Sequence, residues 1–135
     1  MAVTIRQAAV DDIVHHARSE LPNECCGLLV GTPHEVVWTV RARNLRSSAT
    51  RFLIDPETHF AAMKRAREAG LCVMGAYHSH PVTAASPSAT DLAQASYPDF
   101  LYIIVSLLET GDGRDVRAYR FVEGNFHTVD LVLVG

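Results

Sequence analysis

The chain has 135 residues, 48% of them hydrophobic and 20% charged, with a formal net charge of -3 and a pI near 6.1. That length buries a core within one domain spanning residues 1–135, and the composition excludes intrinsic disorder. The weak negative charge excludes a basic field for nucleic acid or anionic lipid, and no apolar run is long enough to cross a bilayer.

In chain order, residues 7–20 carry Ala9, Ile13 and Ala17 at helical spacing and stop before Pro22, so they predict a first helix. His15 and His16 are neighbours there, and adjacent helix positions cannot face one ion, so both read as surface histidines. Asn23 and Glu24 lead into Cys25-Cys26-Gly27-Leu28-Leu29-Val30-Gly31, a buried strand closed by glycine. Residues 36–43 predict a second strand ending at Asn44, and residues 51–54 a short third. Asp55 then caps a helix over residues 57–69, with Pro56 at its first turn, Phe60, Met63 and Ala66 on one face, and Gly70 at its end. Residues 72–77 form a strand that delivers His78 and His80, and a helix follows from about Ser88 to Ala95. Residues 101–108 are the most hydrophobic strand and read as central; residues 109–115 predict a turn. Residues 116–122 and 126–134 predict a hairpin around Glu123-Gly124-Asn125. Strands interleaved with three helices predict an α/β domain with a mixed sheet.

Three cysteines, two of them adjacent, make no disulfide framework and point to a reducing compartment. The first twelve residues lack a basic region followed by an apolar run, so the expected location is the cytoplasm. Cys25, Cys26 and Cys72 read as buried small hydrophobes, although whichever of the adjacent pair faces the site could touch metal or substrate. His34, His59 and His127 read as surface residues.

The chemistry concentrates in residues 77–91, YHSHPVTAASPSATD. On a strand, side chains at i and i+2 point to the same side, so His78 and His80 can face one metal ion. Ten residues separate His80 from Asp91, enough for a loop to return a carboxylate as a third ligand. A His/His/carboxylate set leaves a fourth position open, which is the pattern of a catalytic rather than a structural zinc. Such a site needs a base for water, and Glu24, at a strand end, is the candidate; a solvated loop glutamate is the alternative. Ser88 and Asp91 also fit a helix-capping box, S-x-x-D. Beside the histidines, Asp91 serves better as a ligand, and Ser88 as a hydrogen-bond donor to an oxyanion.

Glu24, then His78-Ser79-His80-Pro81, then Ser88-Ala89-Thr90-Asp91 resembles the pattern of the JAMM (MPN+) zinc metalloproteases. The likeness extends over most of the chain, including the segment from Glu24 to Leu29, Asn44, and residues 51–56. It implies a mixed sheet flanked by helices on a cytidine deaminase-like scaffold. It also implies Zn2+ on His78, His80 and Asp91, with Glu24 as general acid/base and Ser88 supporting the oxyanion. The implied reaction is hydrolysis of peptide or isopeptide bonds after the C-terminal tail of a ubiquitin-like protein. Only one short helix and a turn fit between Asp91 and the strand at Leu101, so the chain is similar to the compact bacterial members. Some of those release an amino acid such as cysteine from a small sulfur-carrier protein. An extended tail can add as a strand at a sheet edge, for which residues 51–54 and 82–87 are the candidates. A homodimer stays open.

A non-catalytic interaction module on the same scaffold is the alternative, but such relatives typically lack ligands that are all present here. A nucleoside deaminase would need His-x-Glu and Pro-Cys-x-x-Cys, and neither occurs.

Overall fold

The computed structural model describes residues 2–94, 97, 99–108 and 115–135. Among these, the elements are β1 (Ala2–Arg6), α1 (Gln7–Ser19), β2 (Cys26–Thr32), β3 (Glu35–Ala42), α2 (Pro56–Glu68), β4 (Cys72–His80), α3 (Ala89–Gln94), β5 (Leu101–Ser106), β6 (Asp115–Val122) and β7 (Asn125–Val134). The strands run in the order β1-β3-β2-β4-β5-β6-β7 and close on themselves where β1 meets β7. β1 pairs in parallel with both β3 and β7, and β4 with β5; the other pairings are antiparallel. The sheet is therefore mixed, as the alternation of elements predicts.

The two faces of the sheet do different work. In β4, Met74 and Tyr77 join a core with Leu29, Ile103 and Val105, against which α1 lays Ile13 and Ala17. The register places Leu28 opposite Ala76, and Ala76 opposite Tyr102, on the other face, which Ala62 of α2 covers. Gly27 is required by the first face: a Cβ there would overlap the Tyr77 ring. Burying such a ring against sheet backbone contributes about 2 kcal/mol. Its hydroxyl finds a buried partner, His16 Nδ1 at 2.7 Å. Burial lowers the His16 pKa and favours the neutral imidazole, which shares a single proton with the Tyr77 hydroxyl in this bond.

α2 starts and stops as expected. The Asp55 carboxylate accepts from Glu57 N–H at 3.0 Å, Pro56 occupies the first turn, and Gly70 ends the helix region at φ 73°.

Several expectations are corrected. The N-terminal residues 2–6 form a strand that the sequence pattern did not predict. Residues 51–54 are not a strand; Ile54 makes an isolated bridge to Asn44. His16 is buried, not on the surface, because Tyr77 supplies its partner. Cys72 is exposed rather than in the core, since it sits at the outer end of β4. Phe60 and Met63 are exposed, and α2 packs through Ala62 and Ala66 instead. Residues 109–114 of the expected turn, and Ala95 at the expected end of α3, lie outside the described residues.

Candidate metal centre

β4 continues through His80, so both histidines stand on strand backbone rather than on a loop. His78 lies opposite Cys26 of β2 and Ile104 of β5, and His80 opposite Ser106, which fixes both imidazoles on the face opposite Tyr77. The residue between them, Ser79, points the other way. Its Oγ accepts from Cys25 N–H at 2.8 Å, while Ser79 N–H donates to Cys25 O at 3.2 Å. This exchange ties the entrance of β2, and with it Glu24, to the histidine strand.

Asp91 arrives on the first turn of α3, where Ser88 and Asp91 form a reciprocal cap. Ser88 N–H donates to Asp91 Oδ2 at 2.9 Å, and Asp91 N–H donates to Ser88 Oγ at 3.0 Å. Capping and convergence on the histidines are therefore compatible. Asp91 Oδ2 lies 3.2 Å from His78 Nε2 and 3.0 Å from His80 Nε2, and the two Nε2 atoms are 3.2 Å apart.

That spacing fits one divalent cation. Tetrahedral coordination with bonds near 2.05 Å separates the donors by about 3.3 Å. The chemistry of the donors agrees. His80 Nδ1 lies 2.7 Å from the Ala84 carbonyl, which can only accept, so Nδ1 carries a proton; Nε2 shares a proton with Asp91 in the metal-free protein and would present its lone pair once a cation displaced that proton. Burial lowers the His78 pKa and keeps that ring neutral, while Phe52 stacks on it at 4.4 Å between centroids. Burial alone would raise the Asp91 pKa, but hydrogen bonds from His78 and His80 hold it well below the usual carboxylate range. The His80 pKa is raised, because its bonds to Asp91 and Ala84 outweigh its burial. Among the described residues, these three form the one such cluster of potential ligands.

Glu24 is 3% exposed, and its Oε1 has no hydrogen-bond partner among the described residues. Burial pushes its pKa up to about 8, opposed by the charge of His80 and reinforced by that of Asp91. Its backbone is pinned on both sides: Glu24 N–H donates to Ser48 O at 2.7 Å, and Asn44 Nδ2 donates to Glu24 O at 3.1 Å. Glu24 is thus a buried carboxyl electrostatically coupled to two of the three potential ligands. Ser88 is exposed, and because its Oγ accepts from Asp91 N–H, its hydroxyl proton remains to donate.

The other polar candidates stay out of the chemistry. Cys25 faces the core, whereas Cys26 stands beside His78, and burial pushes both thiols up to about 12, so neither is a thiolate nucleophile. His15, His34 and His127 are exposed. His59 is half-buried and lines a cavity of about 340 Å³ with Leu28, Phe52, Tyr102, His78 and Asp91. Sequence reasoning gave no role to His59, Phe52, Asn44 or Ser79. The signal for Ser79 was available, because the middle residue of His-x-His must point away from the ligands.

Comparison with known proteins shows the family and the fold. The family model of prokaryotic homologues of the JAB domain matches residues 6–122. The CysO-cysteine peptidase of Mycobacterium tuberculosis is 32% identical over 124 residues, covering 90% of this chain and 84% of the relative. A desampylase of Haloferax volcanii is 36% identical over 134 residues, covering 93% and 91%. The solution structure of protein DSY2949 from Desulfitobacterium hafniense superposes with a TM-score of 0.88 at 32% identity, covering 98% of this chain and 92% of that one. The JAB1/MPN domain protein AF2198 from Archaeoglobus fulgidus shares the fold, with a TM-score of 0.66 at 22% identity and coverage of 99% and 98%.

Proposed function

The chain belongs to the family of prokaryotic homologues of the JAB domain, compact hydrolases of the JAMM/MPN fold, and from that premise we propose a zinc peptidase that cuts after a carrier protein's tail. Its substrates are peptide or isopeptide bonds that follow the C-terminal tail of a ubiquitin-like or sulfur-carrier protein. The names of the relatives support this class: one acts on a CysO-cysteine conjugate and another is a desampylase.

The single observation that carries the reading is the buried carboxyl of Glu24, whose Oε1 has no partner among the described residues, electrostatically coupled to a three-donor set with tetrahedral spacing. His78, His80 and Asp91 would hold the zinc. When bound, zinc supplies Lewis acidity, which eases loss of a proton from water and polarises the scissile carbonyl. Glu24 takes the proton of the attacking water and hands it to the leaving amine, so one water is added across the amide and the carboxyl returns to its starting state. A carboxyl poised near neutral pH can do both halves of that transfer. Ser88 Oγ–H donates to the oxyanion of the tetrahedral intermediate, a contact that strengthens as charge develops.

The segment before α2 is the place we assign to the tail. Phe52, Leu53 and Ile54 line the cavity, with Leu53 O accepting from Leu45 N–H at 2.9 Å and Leu53 N–H donating to Asn44 Oδ1 at 3.0 Å. Those bonds occupy one edge of the segment, and the other edge serves an incoming strand. Residues 82–87 fit less well. Ala84 O and Ala85 O are committed to His80 and to the Tyr119 hydroxyl.

The test is incubation of zinc-loaded protein with CysO bearing a C-terminal cysteine, followed by mass spectrometry of the carrier. Loss of the terminal residue, abolished by a chelator and by His78→Ala, is the expected result. An intact conjugate, together with intact conjugates carrying other leaving residues, would remove the proposal.

A further inference from the structure

The stretch between the histidine pair and α3, residues 81–88, has no helix or strand of its own, so its backbone groups need partners elsewhere. Three successive carbonyls find them on three different strands. Ser106, the last residue of β5, donates its hydroxyl to Thr83 O at 2.5 Å. His80 of β4 presents Nδ1 to Ala84 O at 2.7 Å, and Tyr119 of β6 donates its hydroxyl to Ala85 O at 2.8 Å. Ser106 and Tyr119 are 2% and 6% exposed, and the buried Ala85 methyl joins a small cluster with Ile104 and Tyr119. A buried hydroxyl deprived of its partner is left with its full desolvation cost, so both are committed to these carbonyls.

The bonds have a directional consequence. Peptide groups are planar, so two carbonyls fixed on either side leave the Ala84 carbonyl little freedom to turn, and it faces the His80 ring. Ser106 stands opposite His80 in the register of β4 with β5, which puts the hydroxyl that grips Thr83 level with the histidine. Ser106 Oγ also accepts from Leu108 N–H at 3.1 Å, so its own proton is aimed at Thr83 O. Only Ser86 and Pro87 then separate Ala85 from Ser88, whose reciprocal cap with Asp91 begins α3. The same short stretch therefore sets the orientation of one potential ligand and the arrival of another.

We propose that Ser106 and Tyr119 are positioning residues for the candidate metal centre: by gripping the carbonyls on either side of Ala84, they aim its carbonyl at His80 Nδ1 and hold Asp91 against the histidine pair. This rests on the zinc site proposed above. The donors are in place before a cation arrives, so binding does not have to order the loop. Loss of either hydroxyl is then felt in metal affinity beyond its effect on stability.

The test measures zinc affinity by chelator competition for wild type, Ser106→Ala and Tyr119→Phe. Ile13→Val serves as the control, because it thins the core under α1 and leaves the loop intact. The expected result is a Kd raised at least about tenfold in Ser106→Ala and Tyr119→Phe, with the Kd of Ile13→Val unchanged even where its Tm falls as far. An unchanged Kd in Tyr119→Phe, or an equal rise in Ile13→Val, would overturn the assignment. Tyr119→Phe keeps its ring and so decides even if Ser106→Ala does not fold. The metal-free protein supplies an independent readout. The His80 Nδ1–H, held by Ala84 O, should give a slowly exchanging imidazole signal in NMR, and its exchange should speed at least about tenfold in both variants. Exchange that neither variant alters contradicts the proposal. If wild type binds no zinc, the proposed peptidase falls, and this exchange rate decides the hold on His80 by itself.

Discussion

Glu24 carries a measurable signature in the metal-free protein. Its folded pKa of about 8 lies above the ordinary 4.5, because burial disfavours the charge. Below pH 4.5 the carboxyl is neutral in both folded and unfolded states and costs nothing. As pH rises the unfolded chain releases its proton first, so stability falls between about 4.5 and 8 and then levels. Urea unfolding of wild type minus that of Glu24→Gln isolates this residue from the histidines. The expected difference declines across that window, and a flat difference would mean that Glu24 is solvated. At this scale the sequence was informative where spacing is local: His-x-His on a strand and Ser-x-x-Asp at a helix start each define their own geometry. It was silent where a partner comes from afar. Nothing near His16 announces Tyr77, sixty-one positions away, and nothing near Phe52 announces its stack on His78.

Among the elements, β4 does the most, since it supplies two of the three potential ligands on one face and core on the other. Gly27 of β2 permits that by leaving space for Tyr77, so Gly27→Ala should destabilise the protein by about 1–3 kcal/mol through overpacking. A lowered urea midpoint with an unchanged slope would show it; an unchanged midpoint would mean that the Tyr77 ring moves aside freely. Strands 2 to 7 were readable because their apolar runs are bounded by turn residues. β1 was not, because five residues carry too little pattern and its pairing with β3 and β7 depends on distant chain. Residues 51–54 have strand-like side chains, yet Asn44 supplies most of their bonds through its amide, drawing them into a loop. For α2, periodicity correctly gave a helix but not its inward side. That choice follows from how near the sheet lies, and alanines fit there.

At the scale of the whole molecule, the candidate centre joins β4 to α3 across a loop and so contributes to folding as well as chemistry. A ligand bound at a hundred times its Kd adds about 2.7 kcal/mol, which for a chain of this size is roughly 5–10 °C in Tm. Chelation should lower Tm by that order, zinc should restore it, and His78→Ala should abolish the response; a Tm indifferent to chelator would show that the donors hold no ion. The central claim joins the metal to Glu24, and its most direct measurement is the rate of conjugate cleavage by Glu24→Gln beside its zinc content. The account predicts one zinc per chain in both proteins and a rate at least about 10²-fold lower in the variant. Equal rates at equal zinc content would contradict it.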